Sequence, residues 1–161
     1  MRPTRASRSI SGMNQTAELA RRLENLIRPG TIAEVDLVDA RCRVKSGRIT
    51  TGWLPWFTRR AGSTTEWDPP SIGEQCLVLS PSGELAQGFV LVGLYSGQNP
   101  PPSASAGVHR VEWANGDFVQ HDADTGAYTL KLSGPADITA ASLTITCSGP
   151  VKITGSRIDL N

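Results

Sequence analysis

The C-terminal end of the chain writes one segment twice, and that repeat limits what the chain can fold into more than any other feature. LSGPADITAASLTIT (132–146) aligns without a gap on CSGPVKITGSRIDLN (147–161). Gly-Pro turns recur at Pro135 and Pro150, a period of 15 residues. Apolar positions match across the copies: Leu132 with Cys147, Ala136 with Val151, Ile138 with Ile153, Leu143 with Ile158, and Ile145 with Leu160. A fixed period with turns in register marks a solenoid or fibrous β structure. Each copy reads as two short strands with about five inward apolar side chains, worth roughly 1.5–3 kcal/mol each when fully buried. That does not offset backbone ordering at about 1–2 kcal/mol per residue. Two stacked copies in one chain also leave strand edges open, whereas several identical chains about one axis close them. The repeat therefore implies an obligate oligomer, most simply a β-prism.

Upstream, AYTLKLS alternates, with Tyr128, Leu130 and Leu132 on one face. RVEWANGDFVQ reads as a hairpin about Asn115-Gly116. QNPPPSASAG (98–107) reads as a proline-rich linker and the domain boundary, so 108–161 is one β segment.

Residues 30–97 read as a small domain of short strands. TIAEVDLVD places Ala33, Val35 and Leu37 on one face, ARCRV places Cys42 and Val44 likewise, and Asp39-Ala40 marks a hairpin between them. QCLVLSPSGELAQGFVLVGLYS gives two apolar strands around Pro81-Ser82-Gly83. About five such strands fit a small Greek-key barrel of the OB type. Before it, residues 14–29 read as an amphipathic segment whose helix runs from a Thr16 cap to Arg28. Leu19, Leu23, Leu26 and Ile27 form one stripe, Glu18 lies in the first turn, and Pro29-Gly30 is the stop. Such a stripe needs a surface to cover it. Residues 1–13 are basic without an apolar h-region; they read as a disordered arm, not a secretory signal, with Met13 as an alternative start.

Composition closes several function classes. A formal charge of +1 lacks the basic footprint of a phosphate binder, and no apolar run is long enough to cross a bilayer. Cys42, Cys76 and Cys147 have no metal-ligand spacing and read as small buried hydrophobes of a reducing compartment. His109 and His121, twelve apart near hairpin ends, read as solvated. Asp117, Asp122 and Asp124 read as turn formers, since an EF-hand's closing Glu is missing. Nothing forms the cleft that a pair of catalytic carboxylates needs, and SPSGE around Ser82 lacks the Gly-x of a nucleophile elbow. No catalytic residue, cofactor or metal site is expected. Trp53, Trp56, Phe57 and Trp67 beside Arg59 and Arg60 invite an alternative, an OB-type module that binds nucleic acid or carbohydrate and is oligomerised by the repeat. With neutral overall charge, an interface role fits them better.

The helix ELARRLENLIRPGTIAEVD, the segment TTGWLPWFTRRAG, and above all PPSIGEQCLVLSPSGELAQGFVLVGLYS resemble the baseplate assembly protein V family of contractile phage tails and R-type pyocins. The resemblance covers nearly the whole chain from Met13. It implies a mainly β fold: an N-terminal helix, an OB-fold domain, then an intertwined trimeric β-helix. It implies a homotrimeric central spike that docks through baseplate hub and tail tube proteins. Such a spike is assembled in the bacterial host cytoplasm and carried in the virion or pyocin tail. Sheath contraction would drive it through the target outer membrane, without catalysis and without nucleic acid. On that reading Leu130, Leu132, Ile138, Leu143, Ile145, Ile153, Ile158 and Leu160 face the trimer axis. Leu19, Leu23, Trp53, Trp56 and Phe57 serve the hub or trimer interface. Family members often end in a His-x-His tip holding iron, whereas no histidine follows the repeats here and the chain stops at IDLN, so a tip beyond this sequence or a separate capping protein is expected.

Overall fold

The computed structural model describes the backbone of residues 5–159 and the side chains of residues 14–159. The chain divides at Pro101/Pro102, inside the proline-rich stretch, into two compact units.

The first unit begins with helix α1, Arg5–Leu26. Residues 5–13, expected to be a disordered arm, are helical, so Thr16 lies within the helix and not at its cap. Glu18 is likewise past the first turn; it pairs with Arg21 and Arg22 at 2.8 and 2.7 Å, the i+3 and i+4 neighbours on one face. Those two arginines pull its carboxyl down to about 2. The helix also ends earlier than Arg28. Strand β1, Ile27–Asp36, follows without a loop and takes in Pro29 and Gly30. Proline ends the helix because it has no N–H to donate and clashes with the preceding turn. Gly30 then permits a close crossing, since a Cβ there would stand 2.8 Å from the Lys45 carbonyl oxygen.

β1 changes partner along its length. Ile27–Thr31 pair antiparallel with strand β5 (Gln75–Leu79), and Thr31–Asp36 with strand β2 (Arg41–Ser46). The register slips between Ile32 and Glu34, a bulge that bends the strand. The bulge also corrects the expected inward set. Ile32 is buried, Val35 packs beside the core, and Leu37 lies in the turn, exposed. Asp36 holds that turn by accepting from the Val38 and Asp39 N–H groups. Strand β3 (Ile49–Thr50) and strand β4 (Leu54–Pro55) both pair with β2. Strand β6 (Phe89–Leu94) pairs with β5 across two 3-10 turns that include Pro81-Ser82-Gly83.

The ends of this sheet meet through Trp56, which bridges Val90 in parallel, with the Phe57 N–H donating to the Val90 carbonyl at 2.9 Å. The ring β1–β2–β4–β6–β5 is then closed, a five-stranded barrel consistent with an OB domain. Its interior is made of small side chains: Ile32, Cys42, Val44, Leu54, Cys76, Val78 and Val90. Cys42 and Cys76 behave as the sequence suggests; Cys147 does not, being exposed in the single chain.

The second unit opens with an antiparallel meander of β7 (Val108–Glu112), β8 (Phe118–Asp122) and β9 (Tyr128–Lys131). The β7–β8 turn falls at Asn115-Gly116, where Gly116 has φ +83°. From Leu132 to Asp159 the backbone forms no strand within this chain.

Candidate assembly interface

The second unit presents two unlike faces. Paired residues of an antiparallel ladder point the same way, and alternate residues point oppositely. One face carries Arg110 opposite Gln120, and Glu112 opposite Phe118, which is in turn opposite Lys131. Its polar groups satisfy one another. The Arg110 guanidinium lies 3.7 Å from the Phe118 ring centroid, donates to Gln120 Oε1 at 2.9 Å and pairs with Glu112 at 2.6 Å. An arginine stacked on a ring and hydrogen-bonded to a carboxylate in this way is well held.

The other face carries Val111 opposite Val119, with Leu130 opposite Val119 in turn. His109, His121 and Tyr128 form the next row of that face. Trp113 and Leu132 continue it at the far end, lining an open hollow of about 530 Å³ with Ala114, Asn115 and Asp117. Leu130, Leu132, Trp113 and Tyr128 are all exposed large hydrophobics. Leu130 and Leu132, expected inward toward a shared axis, therefore lie on the apolar side of the sheet and uncovered within the chain.

The turns are built from acids. Asp122 Oδ1 accepts from the Asp124 and Thr125 N–H groups. Asp117 Oδ1 accepts from the Ser133 N–H at 2.8 Å, and Asp117 Oδ2 from the Asn115 amide. Hydrogen bonding from Ser133, and then from Asn115, holds the Asp117 carboxyl below its ordinary value. These contacts join β9's exit to the β7–β8 turn and start the repeat segment on a defined path.

Along that segment Ile138 is 79% exposed and Ile145 66%, with Leu143, Ile153 and Ile158 also uncovered. Leu160 lies outside the described residues. The single chain thus leaves these apolar rows bare at the repeat's period.

The first unit has its own exposed apolar positions, on separate features. Leu19 and Leu23 sit on α1, each 60% exposed. Trp53 is exposed, with the Arg43 guanidinium 5.8 Å from its ring. Phe57 is exposed and lies 6.0 Å from Phe89, beside a hollow of about 290 Å³ edged by Arg59, Glu66 and Asp68. Trp56 differs from the other four expected interface residues: it is half-buried at the barrel seam, against the core and 5.9 Å from Trp67. Two arginines of this region pair with acids, Arg43 with Glu34 at 2.8 Å and Arg59 with Glu66 at 3.8 Å.

The apolar row through Trp113, Val111 and Val119 was not picked out from the sequence. The observed pairing is centred on Asn115, with Trp113 opposite Asp117 across a three-residue turn, one place off the register of a two-residue Asn115-Gly116 turn, so the sequence reading of the turn did not lead to that row.

Residues 28–95 match the family described as the Type VI secretion system/phage-baseplate injector OB domain. The chain is also 45% identical over 134 residues, 83% of its length, to the spike protein of Escherichia phage P2, of which it spans 63%. The matched region begins one residue into β1 and ends one past β6, so it coincides with the closed barrel. Barrel, family match and relative agree: residues 28–95 form an OB domain of the phage-baseplate injector type, in a chain similar to a phage spike protein.

Proposed function

We propose that this chain is a homotrimeric central spike of a contractile tail, and that it works by shape and stiffness without catalysis. The observation that carries this reading is the bare apolar register of the repeat. Ile138, Leu143, Ile145, Ile153 and Ile158 recur with the repeat and find no cover within the chain. Three chains wound about one axis would bury them with Leu130, Leu132 and Leu160, and would pair strands that a single chain leaves unformed. The closed cross-section gives the needle its stiffness. Sheath contraction then drives it through the target outer membrane as a mechanical point.

In this account the barrel, Leu19 and Leu23, and the exposed rings of Trp53 and Phe57 dock the spike to baseplate hub and tail tube proteins. The spike is assembled in the host cytoplasm and carried in the virion or pyocin tail. A nucleic-acid role for the barrel fits less well, because the chain lacks a basic footprint and Arg43 and Arg59 beside its aromatics face Glu34 and Glu66.

The test is Ile145→Asp, which would set three carboxylates around one axis at several kcal/mol each. The unaltered chain is expected to run as a heat- and detergent-resistant trimer and to ignore a fluorescent oligonucleotide, while the variant fails to form that trimer. A variant that still gives a heat-stable trimer overturns the inward assignment. Salt-sensitive oligonucleotide binding by the unaltered chain favours the binding-module reading instead.

A further inference from the structure

His109 and His121, twelve residues apart in sequence, are directly opposed in the β7–β8 ladder. Two bonds fix the geometry of that pair. The Ala123 N–H donates to the Gly107 carbonyl at 2.8 Å, and the Trp113 N–H to the Asp117 carbonyl at 2.9 Å. Hydrogen-bonded pairs alternate along an antiparallel ladder, so the pair falls on a hydrogen-bonded rung, with Cα atoms about 5.5 Å apart. Both side chains are exposed and share the face that carries Tyr128, which is paired with His121 on the other side.

We infer that His109 and His121 form a cross-strand chelate for a borderline divalent transition-metal ion, of the class of Ni²⁺, Cu²⁺ or Zn²⁺. Each imidazole reaches well past its Cβ, so two opposed rings can each bring one nitrogen to about 2.0–2.1 Å from a shared ion. Imidazole suits these ions better than it suits Mg²⁺ or Ca²⁺. The surrounding charge also favours a cation. Asp124 sits at this end of the sheet, its carboxylate over Gly107, 2.6 Å from where a Cβ would stand. The nearby cations, Arg110 and Lys131, are on the opposite face, and Arg110 is already paired with Glu112. Among the described residues no group of three or more His, Cys, Asp or Glu side chains is placed to hold a metal. Within one chain the site is therefore a two-nitrogen chelate with its remaining positions open.

The experiment uses the full chain without an affinity tag, titrated with NiCl₂ by calorimetry. A single ion per chain is expected, and His109→Asn or His121→Asn is expected to weaken binding about 100-fold, as befits loss of one of two linked donors. In the unaltered chain, paramagnetic Ni²⁺ should broaden the ring signals of both histidines first. Binding that neither substitution weakens, absence of binding, or broadening centred elsewhere overturns the proposal.

Discussion

Gly83 lies against the backbone of Arg22: a Cβ at Gly83 would stand 2.6 Å from the Arg22 Cα, and Gly83 itself has φ +71°. The turn between β5 and β6 thus accepts helix α1 only because that position has no side chain. The helix's last carbonyl, that of Leu26, accepts from the Ser80 N–H at 2.9 Å, and the Arg28 guanidinium donates to the buried Asn25 side chain at 2.8 Å. Helix, turn and barrel are one piece of packing.

Gly83→Ala should loosen that piece. An alanine at this φ is strained by about 1–3 kcal/mol, and its methyl group meets helix backbone, which cannot swing aside as a side-chain end could. Amide hydrogen exchange is expected to rise across residues 19–26 while the barrel strands keep their protection. Unchanged protection of the helix would show that the contact is not needed for docking.

The bulge in β1 makes a paired prediction. Ile32→Ala should destabilise the barrel by about 2–4 kcal/mol, the cost of a buried aliphatic truncated in a packed core. Leu37→Ala, in the exposed turn, should stay within about 0.5 kcal/mol. Denaturant unfolding of the two variants separates them, and equal effects would place the inward register where simple alternation puts it.

Burial pushes the Cys42 and Cys76 thiols up to about 11 and 12 from an ordinary 9.0. The folded barrel therefore holds these protons more tightly than the unfolded chain does. Their contribution to stability is fully present below about pH 9 and is lost as pH rises toward 11–12. At neutral pH a thiol reagent should label Cys147 alone, in the single chain, and reach the other two only on unfolding. Rapid labelling of all three in the folded chain would contradict the core assignment.

Much of this fold was legible in the sequence, and the misses have specific physical causes. Alternation in ARCRV put Cys42 and Val44 inside because β2 runs without a bulge. The same rule misplaced Leu37 because β1 ends at Asp36 and Leu37 falls in the turn, and it chose Ala33 over Ile32 because the slip there lies in the pairing, not in the residue pattern. Pro29-Gly30 announced a break in the helix, but not that the break is already inside a strand; a proline paired opposite Leu77 is a tertiary fact. The sequence groups Trp56 with Trp53, Phe57 and Trp67 beside Arg59 and Arg60, and the structure sets it apart from Trp53 and Phe57 as half-buried. Its place at the seam depends on a parallel bridge to Val90, far along the chain, which no local signal encodes. The opposed histidines were hidden for the same reason: spacing twelve says nothing until the turn at Asn115-Gly116 sets the register.

The repeat stands differently. Its period, turns and apolar rows were plain in the sequence, and the single chain leaves those rows bare because it holds nothing to cover them. The measurement that bears most directly on the account is therefore the native mass of the purified chain by light scattering, before and after deletion of residues 108–161. The expected result is three times the chain mass for the intact protein and a monomeric barrel after the deletion. A stable monomer for the intact chain would contradict the spike reading and turn attention to a ligand for the barrel.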